Sequence, residues 1–210
     1  MTKIGFFGGT FDPPHNGHIH LALSLLEIYS LDSVVFCPAE VSPFKSGIPP
    51  IARSEDRLAM VQKAVAPIPT FKVWDWEMRH NHPSYTIDAV KAFLSQCQQE
   101  HKNVSLHLIL GQDALPRLHE WKDIEELLRI APPLIGTRAG VISAMDLSPF
   151  SRASQAAIVN GLTEIPLLDI SSTFLRERLG QRPKRNLYCG HLIPGDTLRH
   201  IYEHGLYEQS

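Results

Sequence analysis

Cysteine is scarce in this chain. Cys37, Cys97 and Cys189, the only three among 210 residues, are too scattered for a disulfide framework and point to a reducing compartment. Neither sign of charge is in excess. Twenty Lys and Arg stand against 22 Asp and Glu, a net charge of −2, which argues against a protein that coats nucleic acid. Long apolar runs are missing too. The N-terminal run breaks at Gly8, too early for a secretory signal, and nothing later approaches a membrane span. There is no internal repeat and no linker rich in Gly or Ser. These absences leave the expectation of a cytoplasmic globular protein with neither a nucleic-acid nor a membrane partner. Hydrophobic residues at 43% and charged residues at 20% suit a well-filled core, and the length suits one domain, or one with a small appendage.

What is present is an alternation of short β-rich runs with amphipathic helical patterns. Lys3–Phe7 reads as a first strand, Gly17–Tyr29 as a buried helix and Val34–Cys37 as a second strand, a βαβ unit with a right-handed crossover. Ser54 reads as an N-cap, with Glu55 and Asp56 in the first turn of a helix that Pro67 and Pro69 end. Phe71–Trp76 and Val104–Leu110 read as strands, with a helix marked by Ile87, Val90, Phe93, Leu94 and Cys97 between them. Ile124, Leu127 and Leu128 mark another helix, and Pro133–Thr137 and Pro166–Ile170 are weaker strands. Ser172–Leu179 reads as a helix with Gly180 at C′, and Asp196 as the cap of a last helix that Gly205 ends. The fold class predicted is α/β, a doubly wound parallel sheet. The Pro-rich Pro38–Pro50 loop reads as functional, and Leu147–Gly161 as a mobile insertion.

Three motifs follow predicted strands, on the edge where open parallel sheets bind ligands. The first runs from Gly8 and Gly9 through Thr10, Phe11 and Asp12 to His15, Gly17 and His18. Glycines let a phosphate approach the backbone, and the helix start behind them offers N–H groups and a positive dipole end. Two imidazoles three residues apart, aimed at one anion, can donate to phosphoryl oxygens. The pattern is neither a Walker loop nor a dinucleotide fingerprint. The second is Ser171-Ser172-Thr173 with Arg176 one turn on. It can bind phosphate and neutralise a leaving group, or simply cap a helix. The third is Gly111-Gln112-Asp113 with Trp121 eight residues beyond. Asp113 can bond a ribose and Trp121 can stack on a heteroaromatic ring, while an N-cap and a core tryptophan explain them equally well.

Together these motifs resemble the nucleotidyltransferase superfamily of adenylyl- and cytidylyltransferases. Arg57–Met60, Glu77–Arg79, Pro83–Asp88, Gly111-x-Asp113 with Trp121, and His204–Tyr207 are similar to the bacterial nicotinate-nucleotide adenylyltransferase family, over nearly the whole chain. The resemblance implies a Rossmann-like domain over residues 1–210, with a small helical part over about 172–210. It implies transfer of adenylyl from ATP to nicotinate mononucleotide, with Mg²⁺ bridging the phosphates. By the same resemblance Gly8, Gly9, Thr10, Phe11, His15 and His18 meet ATP from one side and Ser172, Thr173 and Arg176 from the other. His15, His18 and Arg176 are the expected catalytic groups. Lys45, Tyr85, Thr86, Gly111, Asp113, Trp121 and Arg138 are the expected contacts of the mononucleotide.

Two positions depart from that pattern. Phe44 stands where the family has a histidine before its basic residue, and Gln112 stands where it has alanine. Alternatives remain at this stage: nicotinamide mononucleotide or another phosphate as acceptor, a nucleotide-binding regulator without turnover, or a metal hydrolase prompted by eleven histidines. His80-x-His82 and Cys189-x-His191 lack companion ligands at sensible spacing, so no protein metal site is expected. The three cysteines read as buried small hydrophobes, and a homo-oligomer stays open.

Overall fold

A computed structural model of the chain describes residues 1–40, 49–79, 85–138, 146–166, 168–181 and 189–208. Six strands form one sheet: β1 (Thr2–Gly9), β2 (Ser33–Pro38), β3 (Phe71–Val73), β4 (Val104–Gly111), β5 (Pro133–Thr137) and β6 (Leu162–Glu164). Their order is β3-β2-β1-β4-β5-β6, the doubly wound arrangement whose switch point lies between β1 and β4. The β1–β4, β4–β5 and β5–β6 pairs are parallel, with Gly5 beside His107 and Leu110 beside Ile135. The expected α/β class is therefore met. The helices are α1 (Asn16–Ile28), α2 (Ser54–Val65), α3 (Trp76–Arg79), α4 (Thr86–Gln99), α5 (Ile124–Ile130), α6 (Arg152–Gly161), α7 (Ser172–Leu179) and α8 (Gly195–Glu203). A 3-10 helix spans Gln112–Glu120. No helix among the described residues is long and apolar enough to cross a membrane.

The chain divides into two compact units. The first comprises Met1–Gly8, Leu21–Val35 and Ser84–Leu167. Phe6 and Phe93 meet edge to face at 5.8 Å in its core. Gly136 lets Leu21 pack on β5, because a Cβ there would lie 2.3 Å from Leu21 Cδ1. The second unit comprises Gly9–His20, Phe36–Pro83 and Leu168–Ser210. Its core joins Met60 with Leu175, Leu179, Leu192, Ile193, Ile201 and Tyr207. Thr197 Oγ1 donates to the Met60 carbonyl at 3.0 Å, so α8 is fixed to α2 by a buried bond as well as by apolar contact.

Several sequence expectations are corrected. Phe71–Trp76 is a strand only to Val73, and Trp76 opens the short α3, where it stacks on Trp74 at 5.6 Å. No strand occupies the described residues of Pro166–Ile170; the edge strand is Leu162–Glu164. Leu147–Gly161 contains a regular helix, α6, capped by Ser151 Oγ, which accepts from the Ser154 N–H at 3.3 Å. Ser54 is not a cap. It is the first residue of α2, and its hydroxyl donates to Glu40 Oε1 at 2.6 Å. Gly180 ends α7 at φ −69°, without the left-handed turn expected of it. Pro194, not Asp196, occupies the cap position of α8. The three cysteines are buried free thiols, as expected.

Candidate active site

The second unit carries the glycine turn. Phe11 sits at φ 48°, a left-handed turn beneath the loop, and is buried. Gly9 lets its ring in, because a Cβ there would stand 3.0 Å from Phe11 Cζ. The Phe11 ring meets Phe36 at 5.7 Å and the edge of His18 at 5.1 Å. Phe11 is thus a strut beneath His18.

The His15 and His18 rings stack with centroids 3.7 Å apart. The His15 backbone N–H donates to His18 Nδ1 at 3.2 Å, so the proton of neutral His18 lies on Nε2. Burial pulls the His15 pKa from 6.5 down to about 4, so His15 is neutral at pH 7. Its Nδ1 is buried with no hydrogen-bond partner among the described residues. Gly17 allows this placement, since a Cβ at 17 would lie 2.9 Å from that nitrogen. Asn16 fixes the helix start. Its N–H donates to the Leu192 carbonyl and its side chain to the His191 carbonyl, each at 2.8 Å.

Asp12 organises the rest. Its Oδ2 accepts from the Ile51 N–H at 2.8 Å, and its Oδ1 from the Ala52 N–H at 3.2 Å and the Tyr207 hydroxyl at 2.7 Å. Its carbonyl accepts from Arg176 Nη1 at 2.7 Å, while Arg176 Nη2 reaches Thr173 Oγ1 at 3.1 Å. Ser171 caps α7, accepting from the Phe174 N–H at 3.2 Å, and the Ser172 hydroxyl donates to the Pro13 carbonyl at 2.9 Å. The two end motifs, far apart in the chain, therefore meet at Asp12 and Pro13.

Arg57 is the residue the sequence reading left without a role. It is 1% exposed. Its guanidinium donates to the carbonyls of Thr10 at 3.0 Å, Glu40 at 2.8 Å and Ala39. It ties the glycine turn to the segment that follows β2. Burial lowers its pKa from the ordinary value, while the charges of Glu40 and Asp12 oppose that shift. The signal was present: Arg57 shares the helical face of Met60, Val61 and Ala64, all buried.

The first unit carries the other candidates. Gly111 ends β4, and Asp113 folds back so that its Oδ1 would lie 2.5 Å from a Cβ at 111. Gln112 Oε1 accepts from the Arg138 N–H at 2.9 Å, so the departure at 112 ties the ends of β4 and β5 together. Trp121 is half-buried at the end of the 3-10 helix. Tyr85 precedes α4, with the Lys122 ammonium 4.7 Å from its ring centroid. Lys122 also donates to both oxygens of Asp88, at 3.1 and 3.2 Å. Gly8 closes the first segment of this unit. Lys45 and Phe44 lie outside the described residues, as do His80 and His82.

Residues 6–178 match the cytidylyltransferase-like family. A probable nicotinate-nucleotide adenylyltransferase of Halalkalibacterium halodurans is 37% identical over 99% of this chain and 92% of its own length. The nicotinate-nucleotide adenylyltransferase of Bacillus subtilis is 34% identical over 99% of this chain and 100% of its own. The solved structure of the Plasmodium falciparum nicotinic acid mononucleotide adenylyltransferase complexed with NaAD shares the fold. Its TM-score is 0.74 at 19% identity, covering 99% of this chain and 98% of that one.

Proposed function

The chain belongs to the nicotinate-nucleotide adenylyltransferase family, within the cytidylyltransferase-like group, and from that premise we propose that it converts ATP and nicotinate mononucleotide to nicotinate adenine dinucleotide and pyrophosphate. It is a nucleotidyltransferase of NAD biosynthesis. A phosphate oxygen of the mononucleotide forms a bond to the α-phosphorus of ATP. The bond from that phosphorus to the β-bridging oxygen breaks, and its electron pair leaves with pyrophosphate. The attacking phosphate is already ionised, so no protein nucleophile or general base is required. Catalysis is alignment and charge neutralisation.

The observation that carries this reading is the stacked His15–His18 pair, with Arg176 tied to Asp12 in the same unit. We assign Gly8, Gly9, Thr10, His15, His18, Ser172, Thr173 and Arg176 to ATP. Phe11 supports His18 from below. A neutral His15 beside His18 spares the stack the repulsion of two charged rings. His18 Nε2–H is the donor aimed at a phosphoryl oxygen, and Arg176 neutralises the departing pyrophosphate. Lys45, Tyr85, Thr86, Gly111, Asp113, Trp121 and Arg138 are assigned to the mononucleotide. The start of α4 at Tyr85–Thr86 suits its carboxylate, with Lys122 adding positive charge beside the Tyr85 ring. Mg²⁺ enters as part of the Mg·ATP substrate. Asp12, the carboxylate of the glycine turn, is engaged by three donors, so the triphosphate oxygens would supply the ion's ligands. Three buried free thiols suit a cytoplasmic site of action.

The test is pyrophosphate release from Mg·ATP with nicotinate and nicotinamide mononucleotides compared side by side. Preference for the acid supports the reading. Equal use of both means the pocket reads the ring and not its charge, and release with neither overturns the assignment.

A further inference from the structure

His200 lies in the last turn of α8 and His204 stands at the C-cap just past it, and α2 sets a carboxylate against them. His200 Nε2 lies 3.3 Å from Asp56 Oδ1, and both side chains are buried. The His200 and His204 rings lie 4.0 Å apart between centroids, tilted by 32°. His204 Nδ1 stands 2.9 Å from the His200 carbonyl. Its Nδ1–H donates there, so the lone pair of the neutral ring rests on Nε2. An imidazole held in this way by a backbone carbonyl is oriented as a metal ligand, with its other nitrogen fixed. One ligand atom from each of Asp56, His200 and His204 lies within 4.8 Å of the other two.

We propose that Asp56, His200 and His204 form a binding site for a transition-metal ion of the zinc class, with water completing a tetrahedral shell. Zinc bonds to nitrogen and oxygen run about 2.0–2.2 Å, which sets tetrahedral ligands about 3.3 Å apart. The Asp56–His200 separation of 3.3 Å already has that value. His204 is exposed, so solvent reaches the open side of the site. His204 follows His200 by four residues, so the end of α8 brings the two rings side by side. Imidazole donors favour zinc over magnesium or calcium, which take oxygen ligands, so this ion is distinct from the one ATP carries. Asp56 Oδ2 accepts from Arg53 Nε at 3.3 Å, an outer contact that orients the carboxylate. The ion would clamp the end of α8 onto α2, with His204 three residues before Tyr207, which donates to Asp12.

The experiment uses the full chain, stripped with a chelator and titrated with Zn²⁺ by calorimetry, then with Co²⁺ by visible absorption. The expected result is one saturable equivalent per chain, tetrahedral cobalt bands, and a higher unfolding temperature with zinc. His204→Ala, a surface change that keeps the buried Asp56–His200 pair, should weaken zinc at least tenfold and abolish the cobalt bands and the thermal shift. Asp56→Asn should do the same where it folds. No stoichiometric binding overturns the proposal. So does unchanged binding in His204→Ala, which would place the ion elsewhere among the histidines. None of these three readouts depends on adenylyl transfer, so failure here is separate from failure of the proposed reaction.

Discussion

The Tyr207 hydroxyl donates to Asp12 Oδ1 at 2.7 Å, joining positions 195 residues apart in the chain. Both side chains are buried. Burial first, then the charge of Asp12, holds the phenol well above its ordinary pKa, so it remains a donor at every working pH. Through the Asp12 carbonyl the same residue holds Arg176. The last turn of the chain thus supports the first motif, and the first motif supports the arginine of the second.

Tyr207→Phe removes that donor and little else. Hydrogen bonds to a charged group contribute about 1.5–3 kcal/mol, and a loss of this size is expected in urea denaturation. An unchanged midpoint would show that the backbone N–H groups of Ile51 and Ala52 satisfy Asp12 unaided.

Stability should fall with acid through His15. Its pKa is about 4 folded, against an ordinary 6.5, so the unfolded chain binds the proton first. The contribution is intact above pH 6.5, declines as pH drops toward 4 and levels off below. At about 1.4 kcal/mol per pH unit the whole effect is about 3 kcal/mol. His15→Asn should flatten this segment of the stability–pH curve; equal slopes in both proteins would refute it.

His18→Ala should leave the fold intact, because the ring is only half-buried, in the first turn of α1 beside Phe11 and His15. Turnover should fall by roughly 10²–10³, the loss typical of one donor that stabilises developing charge. A soluble variant with near-normal kcat would remove His18 from the mechanism.

Arg57→Lys keeps the charge and loses the fork. A lysine cannot serve the carbonyls of Thr10, Ala39 and Glu40 together. Orphaned buried acceptors cost about 1–3 kcal/mol each, so a marked drop in Tm is expected. A raised KM for ATP should accompany it, because the glycine turn loses its tie. Wild-type Tm and KM in the lysine variant would refute the positioning role.

Lys122→Gln bears on the acceptor. Without that ammonium the charge of Asp88 is left unbalanced beside Tyr85. KM for nicotinate mononucleotide should rise several-fold while that for nicotinamide mononucleotide changes little. Parallel changes in both would show that Lys122 supports only the helix start.

Part of this molecule is legible in the sequence, for physical reasons that can be named. The runs of β1, β2 and β4 are apolar because those strands are covered on both faces, so their existence is written locally, while their order in the sheet comes from pairing. The Ser171 cap and the helix behind it are equally local, since the hydroxyl bonds an N–H three residues away. The two end motifs and the family are legible because glycine, histidine and arginine stand there at fixed spacing in the sequence itself. Elements with weak local signals were misread. β6 is three residues long, and its strand character comes from pairing with β5. The close of α6 is set by Gly161, where a Cβ would strike the Pro133 carbonyl, and glycine in a sequence reads first as a breaker.

What the sequence by itself determined was the α/β class and the two end motifs that place the chain in its family. Only the tertiary structure decided how their groups are held. Asp12 and Tyr207, Arg57 and three carbonyls, and Asp56 and His200 are partners brought together by chain closure. A hydrogen bond depends on distances of about 3 Å in space, and separation along the chain says nothing about those.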